Sequence, residues 1–402
     1  MKKTTKVALI SIPTLIIIFV VGFWLPIYIL SPQFGKPRVK NIIQIYSDTD
    51  FENYDFTGTG NSNDPYIIEN RVLGVNTSGV KRGYYGLDVA NTSKYFIVQN
   101  CTFFGGLNAI RLENITDETV LIRGNSFYAI AQSEWDNPQG RSGIEIRKTN
   151  QVTIKNNTFA PANKYVDYYY ILTIYKVNNV LFENNTCEGC FLDIRRSTDV
   201  QLVGNLFEEA FYFEDLYNLN FANNIFYGEH DFIEFTNCSY SFFKENIFYE
   251  RISVWKTLHT VLSCNRFNSN SGLHLIGSSY MEISNNSFVC TTEEISTYDV
   301  GILLERESKY CIIQANSIYN FSNYGIYLTE DSNYNIIYHN SMFDNFIINS
   351  TSQAFDECYG NLWNNPSLFQ GNYWSNLGLN TTYEIDGSAG SVDLYPLSSP
   401  LI

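Results

Sequence analysis

A short repeated sequence motif constrains the fold of this 402-residue chain more than any other feature of its sequence. From Val152 to Phe159, two apolar residues alternate with polar ones, an Asn follows, and an aromatic residue comes two positions after that Asn. Stretches that begin at Val200 and Met281 repeat this order. A unit this short cannot bury its own apolar face, so it must stack on further copies. Aligned on the Asn-type position, the copies have their anchors at Arg71, Cys101, Asn125, Asn157, Asn185, Asn205, Asn224, Asn246, Asn265, Asn286, Asn316, Asn340 and Asn372.

The spacing of these anchors sets the size of the unit. The tightest spacing is the 19 residues from Asn205 to Asn224, and longer intervals indicate one loop added to a coil. The residues two positions after the anchors form a mostly aromatic column, which predicts an internal stack of side chains. They are Leu73, Phe103, Phe127, Phe159, Cys187, Phe207, Phe226, Phe248, Phe267, Phe288, Ile318, Met342 and Trp374.

The alternation of apolar and polar residues decides between architectures of similar period. Leucine-rich repeats have a comparable length, but the period-two pattern before each anchor, as in Val152 and Ile154 around Thr153, favours strands. About 20 residues supply the two or three short strands and tight corners of one β-solenoid coil. Asn suits such corners because it tolerates left-handed backbone, and stacked Asn side chains can bond from coil to coil. The alternative, a β-sandwich with Asn-rich turns, would not keep this register through so many units.

The N-terminal segment predicts a membrane anchor. Val7 to Leu30 carries no charge and exceeds the ~20 residues that cross a bilayer. No small-residue cleavage site closes the run. We therefore predict a signal anchor at residues 1–30 with the remainder of the chain extracellular, and a stalk and lead-in at residues 31–55. A cleaved signal peptide and a buried core helix are the competing interpretations. Lys36, Arg38 and Lys40 weaken the charge asymmetry that would fix the orientation.

Both ends of the repeat region resemble a known family. The stretch Gly58-Thr59-Gly60 through Asp64-Pro65-Tyr66-Ile67-Ile68-Glu69-Asn70, the Asn-Asn-Ser/Thr-Phe repeats and the ending Gly371-Asn372-Tyr373-Trp374-Ser375 are similar to NosD-like proteins. These belong to the carbohydrate-binding and sugar-hydrolase (CASH) type of prokaryotic, notably archaeal, cell surfaces. The resemblance implies an all-β fold: a right-handed, single-stranded parallel β-helix of about 12–13 coils at residues 56–398, with caps at 56–70 and 371–398. The family's activities are diverse, so the fold does not fix the function.

Composition excludes some functions. The net charge of −15 argues against nucleic-acid binding, because 26 Lys and Arg against 41 Asp and Glu leave no basic stripe. Copper delivery, the role that names the family, calls for clustered His, Met or Cys, whereas the four His residues are dispersed. A single C-x-x-C at Cys187 and Cys190 is weak evidence for zinc. We therefore predict no metal and no cofactor.

Outward positions on the first strand of each coil are the candidate binding residues. Counting back twelve and ten residues from the anchors gives two parallel files along one face, with adjacent coils ~4.8 Å apart. Carboxylates, arginines and aromatic residues share that face, which would suit sugar rings. The predicted ligand-binding residues are Glu145, Arg147, Tyr175, Arg195, Tyr212, Trp255 and His274.

Three functional hypotheses follow for this face. The first is a membrane-anchored surface protein that binds a glycan or a surface protein. The second is a polysaccharide hydrolase or lyase that uses Asp193, Glu214 and Glu234, whose spacings approach the ~6.5–9.5 Å of inverting glycosidases. Pairing of Glu214 with Arg195 across neighbouring strands would explain these carboxylates without catalysis. The third is a structural or adhesive element with no ligand.

Overall fold

The repeats form a solenoid of short parallel strands. The computed structural model describes residues 42–74, 85–105, 108–115, 119–129, 142–161, 169–208, 211–227, 232–291, 299–345 and 351–401. Within these ranges the strands make three long parallel sheets, and each coil contributes one strand to each sheet except the last, which contributes none to the second. The architecture is a right-handed parallel β-helix, as predicted.

The first sheet has 13 strands in the described part of the chain. They are Ile43–Ile45, Tyr85–Ala90, Asn108–Glu113, Ser142–Arg147, Tyr169–Tyr175, Cys190–Arg195, Phe211–Glu214, Phe232–Thr236, Arg251–Trp255, Leu273–Ile276, Ile302–Glu305, Ile326–Leu328 and Ala354–Asp356.

The second sheet follows the first in each coil. Its 12 described strands are Tyr66–Glu69, Phe96–Gln99, Val120–Arg123, Asn150–Lys155, Asn178–Glu183, Thr198–Val203, Asn220–Ala222, Phe242–Lys244, Val261–Ser263, Glu282–Ser284, Ile312–Gln314 and Ile336–Tyr338.

The third sheet completes each coil just after the anchor. Its 13 described strands are Val72–Gly74, Thr102–Gly105, Ser126–Ala129, Thr158–Pro161, Thr186–Cys187, Leu206–Phe207, Ile225–Phe226, Ile247–Phe248, Arg266–Asn268, Ser287–Val289, Ser317–Tyr319, Ser341–Phe343 and Tyr373–Trp374. An antiparallel pair, Tyr383–Glu384 with Val392–Asp393, lies beyond it.

The predicted aromatic column lies inside the third sheet. Phe207, Phe226 and Phe248 are buried, and their ring centroids are 5.0 Å apart from coil to coil. Phe267 and Phe288 continue the stack at 4.4 Å. Offset stacking of this kind adds about 0.5–1.5 kcal/mol per pair to the burial of the rings. The column therefore fixes the registration of successive coils.

The asparagine anchors form a continuous buried ladder. Each anchor Oδ1 accepts hydrogen bonds from the backbone N–H and the side-chain amide of the anchor in the preceding coil, as Asn224 does from Asn205 at 3.0 Å for both. The ladder runs from Asn125 to Asn372, with Cys101 donating its backbone N–H at the N-terminal end. Bonding from coil to coil is confirmed. The left-handed corner, however, is the residue before the anchor: Asn184 and Asn223 have φ of 52° and 56°.

The first coil begins earlier than the predicted boundary at residue 56. Ile43–Ile45 pairs in parallel with Tyr85–Ala90 and so belongs to the first sheet, although it falls within the predicted stalk and lead-in at 31–55. A 3-10 helix follows at Asp48–Asn53, and its Phe51 is fully buried. The Phe51 ring stacks on Tyr66 at 4.5 Å. Phe51 thus packs on Tyr66–Glu69, the first strand of the second sheet.

A compact set of aromatic residues closes the C-terminal end. Trp374 is buried and stacks on Tyr383 at 4.0 Å. Asp393 ends the asparagine ladder by accepting from the backbone N–H of Asn372 at 2.7 Å. Gly371 makes this possible, since a Cβ there would lie 1.8 Å from an Asp393 oxygen.

The predicted signal anchor at residues 1–30 lies outside the described residues. In the part of the chain that the structure describes, no helix is both long and apolar enough to cross a membrane.

Candidate functional site

The outward face of the first sheet brings the predicted residues into two files. Parallel pairing places in one line, the first file, the residues Asp88, Arg111, Glu145, Thr173, Asp193, Tyr212, Glu234, Ser253 and His274. The second file, two positions further along each strand, contains Glu113, Arg147, Tyr175, Arg195, Glu214, Thr236 and Trp255. The predicted register of all ten site residues therefore agrees with the strand pairing.

Arg195 organises the middle of the face. Its Nε donates to Asp193 Oδ1 at 2.5 Å, and its Nη1 lies 4.0 Å from Glu214 Oε2. Its guanidinium carbon is 4.7 Å from the ring centroid of Tyr212, within cation–π range. Burial, followed by the charge of Glu214, raises the pKa of the Tyr212 phenol above its ordinary value. One arginine thus holds two of the three carboxylates proposed for catalysis.

Tyr175 lies one coil before Arg195 and is surrounded by cations. Its hydroxyl accepts a hydrogen bond from Arg196 Nη1 at 3.0 Å, and Lys176 Nζ is 5.1 Å from its ring centroid. Its slight desolvation would raise the pKa, but the hydrogen bond from Arg196 and the charges of Arg196 and Lys176 outweigh that effect and lower it. Arg196 also lies 3.6 Å from Asp215.

Glu145 and Arg147 form the N-terminal part of the site. Arg147 Nη2 and Glu145 Oε1 are 2.5 Å apart, and the Tyr85 hydroxyl donates to the other oxygen of Glu145 at 3.3 Å. Arg111 pairs with Asp88 at 2.8 Å one strand away. The buried carboxylates Asp88 and Glu145 are therefore both neutralised by arginines.

Trp255 and His274 belong to a separate group near the C-terminal end of the face. Arg306 lies over Trp255 at 5.5 Å and within 3.6 Å of Glu305. His274 Nε2 is 3.3 Å from Glu305 Oε1 but lacks hydrogen-bond geometry. Burial, with the nearby charges of Arg251 and Arg306, lowers the His274 pKa to about 4. His274 is therefore neutral at pH 7 and adds no charge to the face.

The three carboxylates proposed for catalysis are close in register but already engaged. Glu234 Oε1 accepts from Thr236 at 3.0 Å, while Asp193 and Glu214 share Arg195. Tyr212 separates Asp193 from Glu234, which puts their backbones about 10 Å apart. The pairing of Glu214 with Arg195 anticipated from the sequence is present. This arrangement orients arginine and tyrosine side chains better than it supports proton transfer.

The corner that follows the second file holds residues that the sequence analysis missed. This corner file contains Lys148, Lys176, Arg196, Asp215, Asn237 and Lys256, all with left-handed backbone. Counting strand positions did not reach them because the corner lies just beyond the strand. A signal was nevertheless present, because each of the first three directly follows a predicted binding residue, as Lys148 follows Arg147.

A second surface feature is an exposed stack of aromatic rings at the next corner. The aromatic ribbon, as we call it, consists of Tyr217, Tyr240, His259, Tyr280, Tyr310 and Tyr334, with successive ring centroids 5.0–5.5 Å apart. Because the rings stack on one another, their faces are covered and their edges face solvent. The ribbon thus lacks the open ring faces on which sugars stack.

Comparisons with known proteins agree with this architecture. The solenoid of short parallel strands and its outward files define a right-handed β-helix repeat protein, and residues 56–253 match the family model described as right handed beta helix region. Residues 208–378 match the family model described as periplasmic copper-binding protein (NosD). The chain is therefore a right-handed parallel β-helix that is similar to NosD-like proteins over the matched residues. Comparison with curated proteins gives no significant match.

Several solved structures are similar in fold. One is the A-module of the Azotobacter vinelandii mannuronan C-5 epimerase AlgE6, which is 12% identical, with 88% of this chain and 100% of that chain covered and a TM-score of 0.38. Another is the A-module of the epimerase AlgE4 from the same organism, which is 15% identical, with 79% of this chain and 99% of that chain covered and a TM-score of 0.32. A third is ORF18 of Geobacillus virus E2, which is 10% identical, with 90% of this chain and 65% of that chain covered and a TM-score of 0.29. These likenesses concern the fold alone.

The copper that the NosD description implies does not fit the described residues. No group of three or more His, Cys, Asp or Glu side chains in those ranges could hold a metal ion. His259 stacks between Tyr240 and Tyr280, His274 faces Glu305, and His339 contacts Gln370 at 2.6 Å. These imidazoles lie on different coils and do not converge.

Proposed function

We propose that this protein binds a glycan through the outward face of its first sheet. The observation that carries the proposal is the group around Arg195, in which a guanidinium is held by Asp193 beside the ring of Tyr212. A sugar ring presents hydroxyl groups around its rim and C–H groups on its faces. An aromatic side chain next to fixed hydrogen-bond donors matches both kinds of surface.

The geometry of the solenoid supports recognition of a chain rather than of a single small molecule. Polar and aromatic residues continue along both files from Glu145 to Trp255, with one coil every ~4.8 Å. Side chains held by neighbouring carboxylates lose little conformational entropy when a ligand binds. We therefore propose an extended saccharide that lies along the files.

We propose binding rather than hydrolysis because of the contacts of the carboxylates. An inverting glycosidase uses one carboxyl group as an acid and a second, across the substrate, as a base that activates water. Asp193 and Glu214 both face Arg195, at 2.5 Å from its Nε and 4.0 Å from its Nη1, so one guanidinium engages both carboxylates.

A glycan array with the full chain tests this proposal. Wild type and Arg195→Gln are compared, with Lys244→Gln on the second sheet as the matched control. We expect wild type and Lys244→Gln to bind the same glycans and Arg195→Gln to lose at least tenfold in affinity. Equal binding by Arg195→Gln, or no binding by wild type, would overturn the proposal.

A reducing-sugar release assay on the bound glycans tests the enzyme alternative. We expect no release. Release by wild type that disappears in Asp193→Ala with Glu214→Ala would make the protein a hydrolase.

We propose in addition that residues 7–30 anchor the protein in a membrane with the solenoid outside. The support is the uncharged sequence from Val7 to Leu30. Fractionation of expressing cells, followed by protease treatment of intact cells, tests both parts. We expect the full chain in the membrane fraction and its solenoid to be cleaved from outside. A chain in the soluble fraction, or one protected in intact cells, would contradict the proposal.

A further inference from the structure

Cations and carboxylates are layered on the middle of the first-sheet face. The Arg147 side chain is 52% exposed above Glu145 at 8%, and the Arg195 side chain is 42% exposed above Asp193 at 17%. In both pairs the carboxylate belongs to the first file and the arginine to the second. The positive groups therefore meet an approaching ligand before the negative groups do.

The carboxylates orient the arginines without using up their donors. A guanidinium has five N–H groups, and Asp193 engages Arg195 through Nε alone. The amino groups that remain can bind both oxygens of a carboxylate or sulfate in a fixed plane. Because the underlying carboxylate already restrains the arginine, such a ligand pays less ordering entropy.

The corner file adds cations in the same three coils. Lys148, Lys176 and Arg196 follow Arg147, Tyr175 and Arg195, and all three are exposed. Within the part of the chain that the structure describes, neither Lys148 nor Lys176 has a carboxylate within ion-pair distance. In the next coils the same corner position is Asp215 and then Asn237. Three coils without an intervening Asp or Asn therefore carry a basic patch, which we define as Arg147, Lys148, Lys176, Arg195 and Arg196, and the next cation of the corner file is Lys256, beyond Asp215 and Asn237.

We propose that this basic patch selects an acidic saccharide, one that carries carboxylate or sulfate groups. The inference rests on the proposed glycan binding and names the class of glycan. On a protein with a net charge of −15, an acidic chain is repelled elsewhere, so a local cluster of exposed cations determines where it docks. Charge neutralisation of Glu145 and Asp193 alone would account for the arginines but not for Lys148 and Lys176.

Matched pairs of polysaccharides test the charge requirement. Calorimetric titration of the full chain compares polygalacturonate with its methyl ester, and dextran sulfate with dextran. We expect the acidic member of a pair to bind more tightly than its neutral partner, and the difference to shrink as salt is added. The two pairs distinguish carboxylate from sulfate as the preferred group.

Lysine variants test whether the acidic saccharide binds at the basic patch. Lys148→Gln with Lys176→Gln removes two charges that hold no carboxylate, and we expect about a tenfold loss of affinity for the acidic chain, since two exposed charges contribute roughly 0.7 kcal/mol each. Lys244→Gln is the control, because the Lys244 side chain is 57% exposed on the second sheet, away from the first-sheet face and the corner file. Thermal unfolding of each variant verifies that its fold is intact.

The outcomes separate the two proposals. Equal affinity for the neutral and acidic members of both pairs would overturn the acidic inference and leave glycan binding in place. No binding of any polysaccharide would overturn both. If single-stranded DNA binds as tightly as polygalacturonate, the basic patch attracts polyanions in general and does not select an acidic saccharide. An equal loss in Lys244→Gln would place the acidic site elsewhere.

Discussion

At the scale of single residues, each buried anchor asparagine stabilises the solenoid because its side-chain amide both accepts and donates hydrogen bonds. Asn224 accepts from the backbone N–H of Asn205 through Oδ1 and donates through Nδ2 to Leu202 O at 2.8 Å and to Asn246 Oδ1 at 3.0 Å. No other side chain of this size both donates and accepts in this way. Each anchor thereby satisfies polar backbone atoms that the corner would otherwise leave unpaired.

Replacement of one anchor should therefore be costly. We expect Asn224→Ala to lower the free energy of unfolding by roughly 2–4 kcal/mol, because an unpaired buried polar group costs about 1–3 kcal/mol and at least two are created. Urea denaturation measures the change. Asn220→Ala, on the half-buried outward side of the second sheet, is the control and should change stability little. Similar losses in the two variants would mean that the ladder adds nothing specific.

Two glutamates on the third side of the solenoid should make stability depend on pH. Burial and the charge of Glu208 raise the pKa of Glu188, and burial raises the pKa of Glu208 despite a hydrogen bond from Gly189 N–H at 3.1 Å. The folded state therefore favours the protonated forms. Their stabilising contribution is fully present below the ordinary Glu pKa of about 4.3 and is lost as pH rises through the raised values.

The variant Glu188→Gln tests that dependence. We expect it to unfold at the same temperature as wild type near pH 4 and at a higher temperature at pH 7, since Gln cannot ionise. Melting temperatures across this range provide the measurement, with the exposed Glu384→Gln as control. A difference from wild type that stays constant with pH would contradict the raised pKa values.

At the scale of strands and corners, the period of the sequence determines which residues align. Strands of one sheet are related by the repeat, so the anchor spacing was enough to predict both outward files and the internal aromatic column. The contacts within the files could not be derived in the same way. Whether Arg195 turns to Asp193 or Glu214 depends on side-chain rotamers and burial, which periodicity does not encode.

Other elements escaped prediction for local reasons. Ile43–Ile45 is a strand of only three residues, too short to show alternation by itself. The sequence pattern linked Asn with left-handed corners but did not fix the position, and the backbone turns one residue before the anchor. The basic corner cations were overlooked because the counting stopped at the end of the strand.

The aromatic ribbon shows how stacking can offset backbone strain at a corner. Tyr240, His259, Tyr280, Tyr310 and Tyr334 all have φ between 52° and 61°, a conformation that favours Gly, Asn and Asp. In earlier coils the same position holds Asn179, Asp199 and Asn218. In the aromatic ribbon, the stacking of the rings offsets the strain of the left-handed backbone. The short polar residues of the earlier coils tolerate that backbone without such help.

A pair of substitutions at Tyr280 separates these two effects. Tyr280→Ala loses the stacking on His259 and Tyr310 and keeps the strained backbone, so we expect about 1–2 kcal/mol of destabilisation. Tyr280→Asn loses the same contacts but fits the left-handed corner, so its loss should be smaller. Urea midpoints of the two variants give the comparison. Equal losses would show that the backbone carries no strain there.

At the scale of the solenoid, each coil contacts only its neighbours, so the ends need separate protection. Asp393 provides it at the C-terminal end. It is buried and accepts from Asn372 N–H, from Trp374 Nε1–H at 2.9 Å and from Tyr395 N–H at 3.0 Å. These three bonds join the last rung of the ladder to the closing aromatic residues.

Loss of this carboxylate should open the solenoid from one end. In Asp393→Asn the new amino group faces donors, so we expect early proteolytic cleavage within residues 371–398 while the central coils resist. Mass spectrometry of a limited digest locates the cuts. First cuts in the central coils, or a digestion pattern equal to that of wild type, would mean that Asp393 does not hold the end.

For the whole molecule, we propose that a glycan lies on the first-sheet face and not on the aromatic ribbon. Hydroxyl-radical footprinting measures this directly, because tyrosines mark both surfaces. With a saturating bound polysaccharide, we predict reduced oxidation of Tyr175 and Tyr212 and unchanged oxidation of Tyr280 and Tyr310. Protection of Tyr280 and Tyr310 with Tyr175 and Tyr212 still oxidised would contradict binding at the first-sheet face.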